Sequence, residues 1–135
     1  PETAKEHSYE IFLEDVSWTE ARDRCIAMGG HLVVISSETE FYKVADMAEE
    51  IGASRVWVGC HRIDGTLVWE NTDPVNYYPW ADGEPSYYDS GDDVEENYIM
   101  MWDRWGWQYN DSRDDPVADY PEMYSGVTAY VCEYE

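Results

Sequence analysis

Polar and apolar residues alternate from Ser8 to Leu13, with Tyr9, Ile11 and Leu13 on one side. A period of two predicts a β-strand. Ser17-Trp18-Thr19-Glu20 reads as a capping box, after which Trp18, Ala21, Cys25 and Met28 recur on one helical face until Gly29-Gly30 stops the run. His31 to Ser36 is a short β-rich run. Ser37-Glu38-Thr39-Glu40 is a second capping box, and Phe41, Val44, Ala45 and Ala48 supply a second helical stripe, closed by Gly52. Beyond Arg55 the pattern changes to short strand-like runs at 56–59, 66–69, 98–101, 106–109 and 128–132. Two long polar segments, 71–97 and 110–126, lie between them, and loops of that length inside a domain are usually functional. Helices first and most strands later predict an α+β class with mainly antiparallel strands.

The 135 residues suit one domain over 1–135, with 1–7 as an N-terminal flank and a long-loop region at about 71–126. Hydrophobic residues at 44% and aromatics at 16% exclude a disordered acidic tail. No stretch approaches the roughly 20 apolar residues of a membrane span. The opening Pro1-Glu2-Thr3 carries no signal-peptide pattern, so the chain is expected to be cytosolic or to have lost a leader or a larger parent. Charge changes the picture most: 30 acidic against 8 basic residues give −22, which repels phosphate backbones and anionic lipid. Nucleic acid and membrane insertion are therefore set aside. The carboxylates either keep the domain soluble or, in part, coordinate a hard divalent ion such as Ca2+.

Cys25, Cys60 and Cys132 form no CxxC or Cys/His cluster, so no zinc site is indicated. One pair and one spare is the simplest arithmetic. A Cys25–Cys132 bridge would tie the first helix to the last strand, stabilising by about 4 to 5 kcal/mol on the chain-entropy model, and would imply an oxidising compartment. Cys60 reads as a small buried hydrophobe. An enzyme is not expected: there is no Ser/His/Asp order with supporting motifs, no phosphate-binding Gly loop and no HExxH.

Six landmarks, in order, resemble the C-type lectin-like domain family. They are Trp18 to Cys25 followed by Gly29-Gly30-His31-Leu32-Val33-Val34-Ile35; Val56-Trp57-Val58-Gly59; Trp80-Ala81-Asp82-Gly83-Glu84-Pro85-Ser86; Glu96-Asn97; Tyr109-Asn110-Asp111; and Val131-Cys132-Glu133. The resemblance runs from about Tyr9 to Tyr134. It implies a double-loop fold, the Cys25–Cys132 disulfide, a cis Glu84-Pro85 peptide, and a Ca2+ site in the long loops at which sugar hydroxyls bind the metal. Carried over by position, the metal ligands would be Glu84, Ser86, Glu96, Asn110 and Asp111, with Glu84, Ser86, Glu96 and Asn110 also meeting the sugar. Tyr87, Tyr88, Trp107 and Tyr109 flank this set and could pack on a sugar ring or a protein partner. Core packing is their other reading, and the better one for Trp57, Trp69, Trp80 and Trp102.

The chain departs from the family pattern in three places. Ser86 stands where an Asn is usual, and a hydroxyl is a poorer Ca2+ ligand without a separate NH2 donor. The second disulfide's positions fall near Tyr98 and Asp114, so packing or the metal must hold the loops. The segments 87–95 and 111–132 are longer than usual, and their acids (Asp89, Asp92, Asp93, Glu95, Asp114, Asp115, Asp119) either form a second Ca2+ site or solvate the loops. Asn110-Asp111-Ser112 also reads as a glycosylation sequon, taken as incidental. The expected function is a calcium-dependent carbohydrate-binding module of a secreted or cell-surface protein, of the mannose/glucose-type Glu-Pro pattern. The alternative is a calcium-independent, protein-binding adhesion or recognition domain of the same fold.

Overall fold

A computed structural model describes residues 8–70, 75, 77–85 and 95–134, the side chains of 105, 123 and 124 excepted. The elements are β1 (Ser8–Leu13), α1 (Trp18–Ala27), β2 (His31–Leu32), α2 (Glu38–Ile51), β3 (Arg55–Ile63), β4 (Thr66–Trp69), β5 (Tyr98–Trp102), a 3-10 turn (Asp103–Trp105), β6 (Tyr109–Ser112), α3 (Pro116–Asp119), α4 (Pro121–Tyr124) and β7 (Thr128–Tyr134). α1 and α2 start where the capping residues predict. The Ser17 and Ser37 hydroxyls accept from the backbone N–H of Glu20 and Glu40, satisfying donors that the first helical turn leaves open.

The strands run β1-β7-β3-β5-β6, with β2 also on β7 and β4 also on β3. β3 and β7 pair in parallel, and the other pairs of named strands among the described residues are antiparallel. Successive side chains of the central strands point to opposite faces, and both faces are covered. Val56, Val58, Ile99, Met101, Ala129 and Val131 pack with Phe41, Val44, Ala45 and Ala48 of α2. Trp57, Met100, Tyr130 and Cys132 pack with Trp18, Ala21 and Cys25 of α1. Burial on both faces explains why these strands read as near-continuous apolar runs. Cys25 and Cys132 are bonded, with Cα atoms 5.4 Å apart, pinning α1 to β7. Two buried indoles tie the layers further: Trp18 Nε1 donates to the Val58 carbonyl (2.8 Å) and Trp57 Nε1 to the Val16 carbonyl (3.0 Å).

β3 is longer than the expected 56–59 run. Its pairing with β5 breaks between Trp57 and His61. There the Gly59 N–H donates to the Val33 carbonyl at 2.7 Å, and a Cβ at Gly59 would meet the Leu32 oxygen at 2.5 Å. Beyond the break, Asp64 (φ 49°) and Gly65 (φ 81°) turn the chain into β4. The strand expected at 106–109 lies three residues later. Gly106 and Trp107 have φ 66° and 67°, left-handed values that reverse the chain and cannot continue a strand.

Candidate functional site

The base of the long-loop region is a junction of four chain segments. β6 pairs with β5, placing Asn110 opposite Met100 and Asp111 opposite Ile99. On its other side β6 meets the segment around Trp80, because the Tyr109 N–H donates to the Pro79 carbonyl and the Ala81 N–H to the Tyr109 carbonyl. A turn then follows, with Gly83 at φ 84° and the Glu84 N–H bonded to the Ala81 carbonyl. Glu84 is thus hung from the outer edge of the strand that carries Asn110 and Asp111. The Glu84-Pro85 peptide is cis, as the resemblance implied.

The candidate ligands differ in their surroundings. Asn110 and Glu96 are half-buried. Glu84 is half-buried with Oε1 enclosed. Asp111 is fully buried, and its Oδ2 lies 3.5 Å from Arg62 Nη2, whose side chain is 5% exposed. Arg62 Nη1 donates to the Glu96 carbonyl at 2.5 Å, and the Arg62 backbone N–H donates to the Asn97 carbonyl at 2.6 Å. One arginine on β3 therefore links the segment before β5 to the carboxylate on β6. Arg62 was missed by the sequence reading. The Asp64-Gly65 pair, a strong hairpin signal, would have extended β3 through it.

Among the described residues, no three His, Cys, Asp or Glu side chains are grouped so as to hold a metal ion. The donor types, carboxylates at Glu84, Glu96 and Asp111 and an amide at Asn110, are those a hard cation takes, but the structure does not gather the three carboxylates into one site. The guanidinium against Asp111 counts the other way. Ser86, Tyr87, Tyr88, Asp89, Asp92 and Asp93 lie outside the described residues.

Two aromatic expectations are corrected. Trp107 is 6% exposed and its Nε1 donates to Glu49 Oε1 at 3.0 Å. Tyr109 is fully buried among Phe41, Trp69 and Trp80. Neither ring face is offered to a ligand, because the left-handed turn at 106–107 and the β6 register direct both inward. Burial pushes the Tyr109 phenol well above its usual pKa. Trp57 and Trp69 are core residues.

Three of the acids that either form a second Ca2+ site or solvate the loops have partners within the protein. Asp114 accepts from the Thr19 N–H and hydroxyl at 2.9 and 2.8 Å. Asp115 caps α3 through the Ala118 N–H, and Asp119 pairs with Arg113 at 2.9 Å. Tyr98, at the other expected half-cystine position, packs on Trp18 at 5.1 Å and on His61 at 6.2 Å. Capping and ring packing thus hold the two positions.

The profile of the lectin C-type domain matches residues 14–117, so the chain belongs to that family. A C-type lectin of Thrasops jacksonii, a lectoxin, is 28% identical over 138 residues, spanning 97% of this chain and 78% of the relative. Among solved structures, the cow C-type carbohydrate-recognition domain of CD23, determined in the presence of a GlcNAc2Man3 oligosaccharide, superposes with a TM-score of 0.72 at 23% identity, over 96% of this chain and 88% of that one. A calcium-independent type II antifreeze protein superposes equally well, with a TM-score of 0.72 at 21% identity over 98% and 88%. At these identities the two structures establish the fold alone. The α+β, C-type lectin-like architecture expected from the sequence is the one observed. No helix of the described residues is long and apolar enough to cross a membrane.

Proposed function

We propose that this domain is an extracellular carbohydrate-recognition module, secreted or displayed on a cell surface, rather than an enzyme. Its ligand residues are Glu84, Ser86, Glu96 and Asn110, with Tyr87 and Tyr88 as further candidates from the sequence. The observation that supports the reading is the edge pairing of residues 79–81, just before Glu84, with β6, the strand that carries Asn110 and Asp111. The disulfide supports an oxidising, extracellular setting.

Glu84, Ser86, Glu96, Asn110 and Asp111 would hold Ca2+. When bound, the ion would supply open coordination positions for two vicinal sugar hydroxyls. The carboxylates of Glu84 and Glu96 accept hydrogen bonds from those hydroxyls, and the Asn110 amide donates one. The Glu-Pro order supports mannose- or glucose-type hydroxyl pairs, and Ser86 weakens the site by removing an amide donor.

A second reading, calcium-independent protein binding by the same surface, draws support from the Arg62–Asp111 pair, because a site already carrying a cation has less need of a metal. The test is retention on immobilised mannose in calcium and in EDTA. Retention in calcium only, lost in Asn110→Ala, is the expected result. Retention that ignores EDTA removes calcium from the reading. No retention of any sugar leaves the protein-binding alternative.

A further inference from the structure

β1 is the last strand of the sheet, at the opposite end from β6, which carries Asn110 and Asp111. It pairs with β7 on one side, and no backbone bond joins its other side to the described residues. In an antiparallel pair, alternate residues turn both backbone groups away from the partner strand. Ser8–Leu13 therefore offers a row of unpaired donors and acceptors, a template for a further strand. α2 flanks this edge on one face. Ile11, Met47, Glu50 and Ile51 line an open groove of about 330 Å³ between β1 and α2. Leu13, on the same side of the strand as Ile11, is 38% exposed. On the opposite face, Glu10 stands exposed in the middle of the strand.

We propose that the free edge of β1 docks an extended segment of a partner protein in which apolar and basic residues alternate. Main-chain bonds to β1 supply the pairing, and the strand period of two sorts the partner's side chains between the two faces. The apolar set falls over the groove of Ile11, Met47 and Ile51, and the basic set falls on the face of Glu10. Charge selects this occupant. Glu50 lines the groove, Asp46 stands one turn before it on α2, and Lys43 is drawn onto the Tyr9 ring. With a net charge of −22 behind them, these acids attract a basic strand and repel an acidic one. The same charge turns away a second copy of this chain. Antiparallel pairing of β1 with its own copy sets two Glu10 carboxylates on one face of the joined sheet, and like charges on facing strands destabilise the pair. The site needs no metal and shares no residue with the loop surface.

The test titrates the full chain, in EDTA, with the acetylated and amidated peptide Lys-Ile-Lys-Ile-Lys-Ile-Lys, read by amide hydrogen exchange along the backbone. Two control peptides replace every Ile by Ser, keeping the charge, or every Lys by Glu, keeping the apolar content. The Lys-Ile peptide alone is expected to slow exchange at the outward amides of Ser8–Leu13, by about tenfold or more at saturation. Met47→Asp adds negative charge and would strengthen a merely electrostatic association. It is expected instead to weaken the peptide about tenfold, the effect of losing one apolar contact. If Met47→Asp is unfolded, Ile11→Thr takes its place, keeping a β-branched residue in the strand. Glu10→Lys, at an exposed position, is expected to weaken the peptide severalfold and decides with the serine peptide if neither groove variant folds. Equal binding of the serine peptide, protection that spares β1, or no protection at millimolar Lys-Ile peptide each overturns the proposal. So does protection of the outward β1 amides before any peptide is added. That result shows an edge already filled, by the chain's own residues if it sediments as a monomer and by a second copy if it sediments as a dimer.

Discussion

Asp114 fastens the segment after β6 to the first turn of α1, and its removal should show it. The carboxylate takes two hydrogen bonds from Thr19, at 2.9 Å from the backbone N–H and 2.8 Å from the hydroxyl, at the first turn of α1. A hydrogen bond to a charged group contributes about 1.5 to 3 kcal/mol when buried, and an anion at a helix N-terminus about 0.3 to 1. Both sides are only half-buried, so the lower ends apply and solvent screening reduces them further. The Trp18 N–H to Asp114 carbonyl bond survives the substitution because it is backbone to backbone. Asp114→Ala should therefore cost about 2 kcal/mol and lower Tm by about 8 °C for a domain of this size. The assay is urea and thermal unfolding in EDTA, run as a double-mutant cycle with Thr19→Val. The cycle should show about 1 kcal/mol of coupling, since the hydroxyl bond is shared and the N–H bond is not. Additive effects, or a loss under about 0.5 kcal/mol for Asp114→Ala alone, would refute the idea that this contact fastens the loop.

Three further outcomes follow from the core and its edges. Cys60 is buried and its thiol is pushed up to about 12, chiefly by desolvation, so it should resist thiol reagents in the native state and react in urea; prompt native labelling would contradict its placement. Gly59→Ala drives a Cβ into the Leu32 and Val33 carbonyls at 2.5 and 2.9 Å, and should destabilise by about 2 to 3 kcal/mol or more, read by chemical denaturation. His61, packed against Trp18 and Tyr98, has its pKa lowered by desolvation and by Arg22. The unfolded chain therefore binds a proton at higher pH than the folded one. The neutral-His61 stability is intact above the unfolded value of 6.5 and is lost as pH falls from there through the folded value. The native domain should lose more stability from neutral to mildly acidic pH than His61→Gln, and equal slopes would exclude His61 as the cause.

What the sequence revealed and what it hid divide along physical lines. Capping, alternation and the Cys25–Cys132 bridge are local or topological signals, and the structure carries all three. The strand expected at 106–109 failed because apolar content was read without the conformation: Gly106 permits a reversal, and Trp107 follows it at positive φ. The one-turn helices α3 and α4 hid in an acidic loop, although Asp115 before Pro116 and Pro121 at its helix start are helix-start signals. The candidate ligands were legible only through resemblance, and Trp107 and Tyr109 were misjudged because an aromatic near a loop reads alike whether it faces water or core. Arg62 carried no signal of its own. Its role comes from a β-bulge and a hairpin that bring position 62 to position 111, a relation no linear pattern encodes.

Cations in this chain are scarce and already committed, and that separates the two functional readings. Seven of the eight Lys and Arg residues are described, and each has an internal contact. Arg22 and Lys43 lie over the rings of Trp18 and Tyr9. Arg55 and Arg104 approach Trp102, and Arg24 pairs with Glu14 and Glu20. Arg62 and Arg113 are buried against Asp111 and Asp119. With 30 acidic against 8 basic residues, the outward field is dominated by the carboxylates. A protein partner of this surface must present positive charge, and its association rate should fall steeply with ionic strength. A neutral glycan held by hydroxyl hydrogen bonds feels no such field, so its affinity at saturating calcium should change little with added NaCl. A salt series on whichever ligand is found therefore tests the mode of recognition. Strong salt dependence of a glycan interaction would show that the carboxylate field, and not the Glu84–Asn110 surface, governs binding.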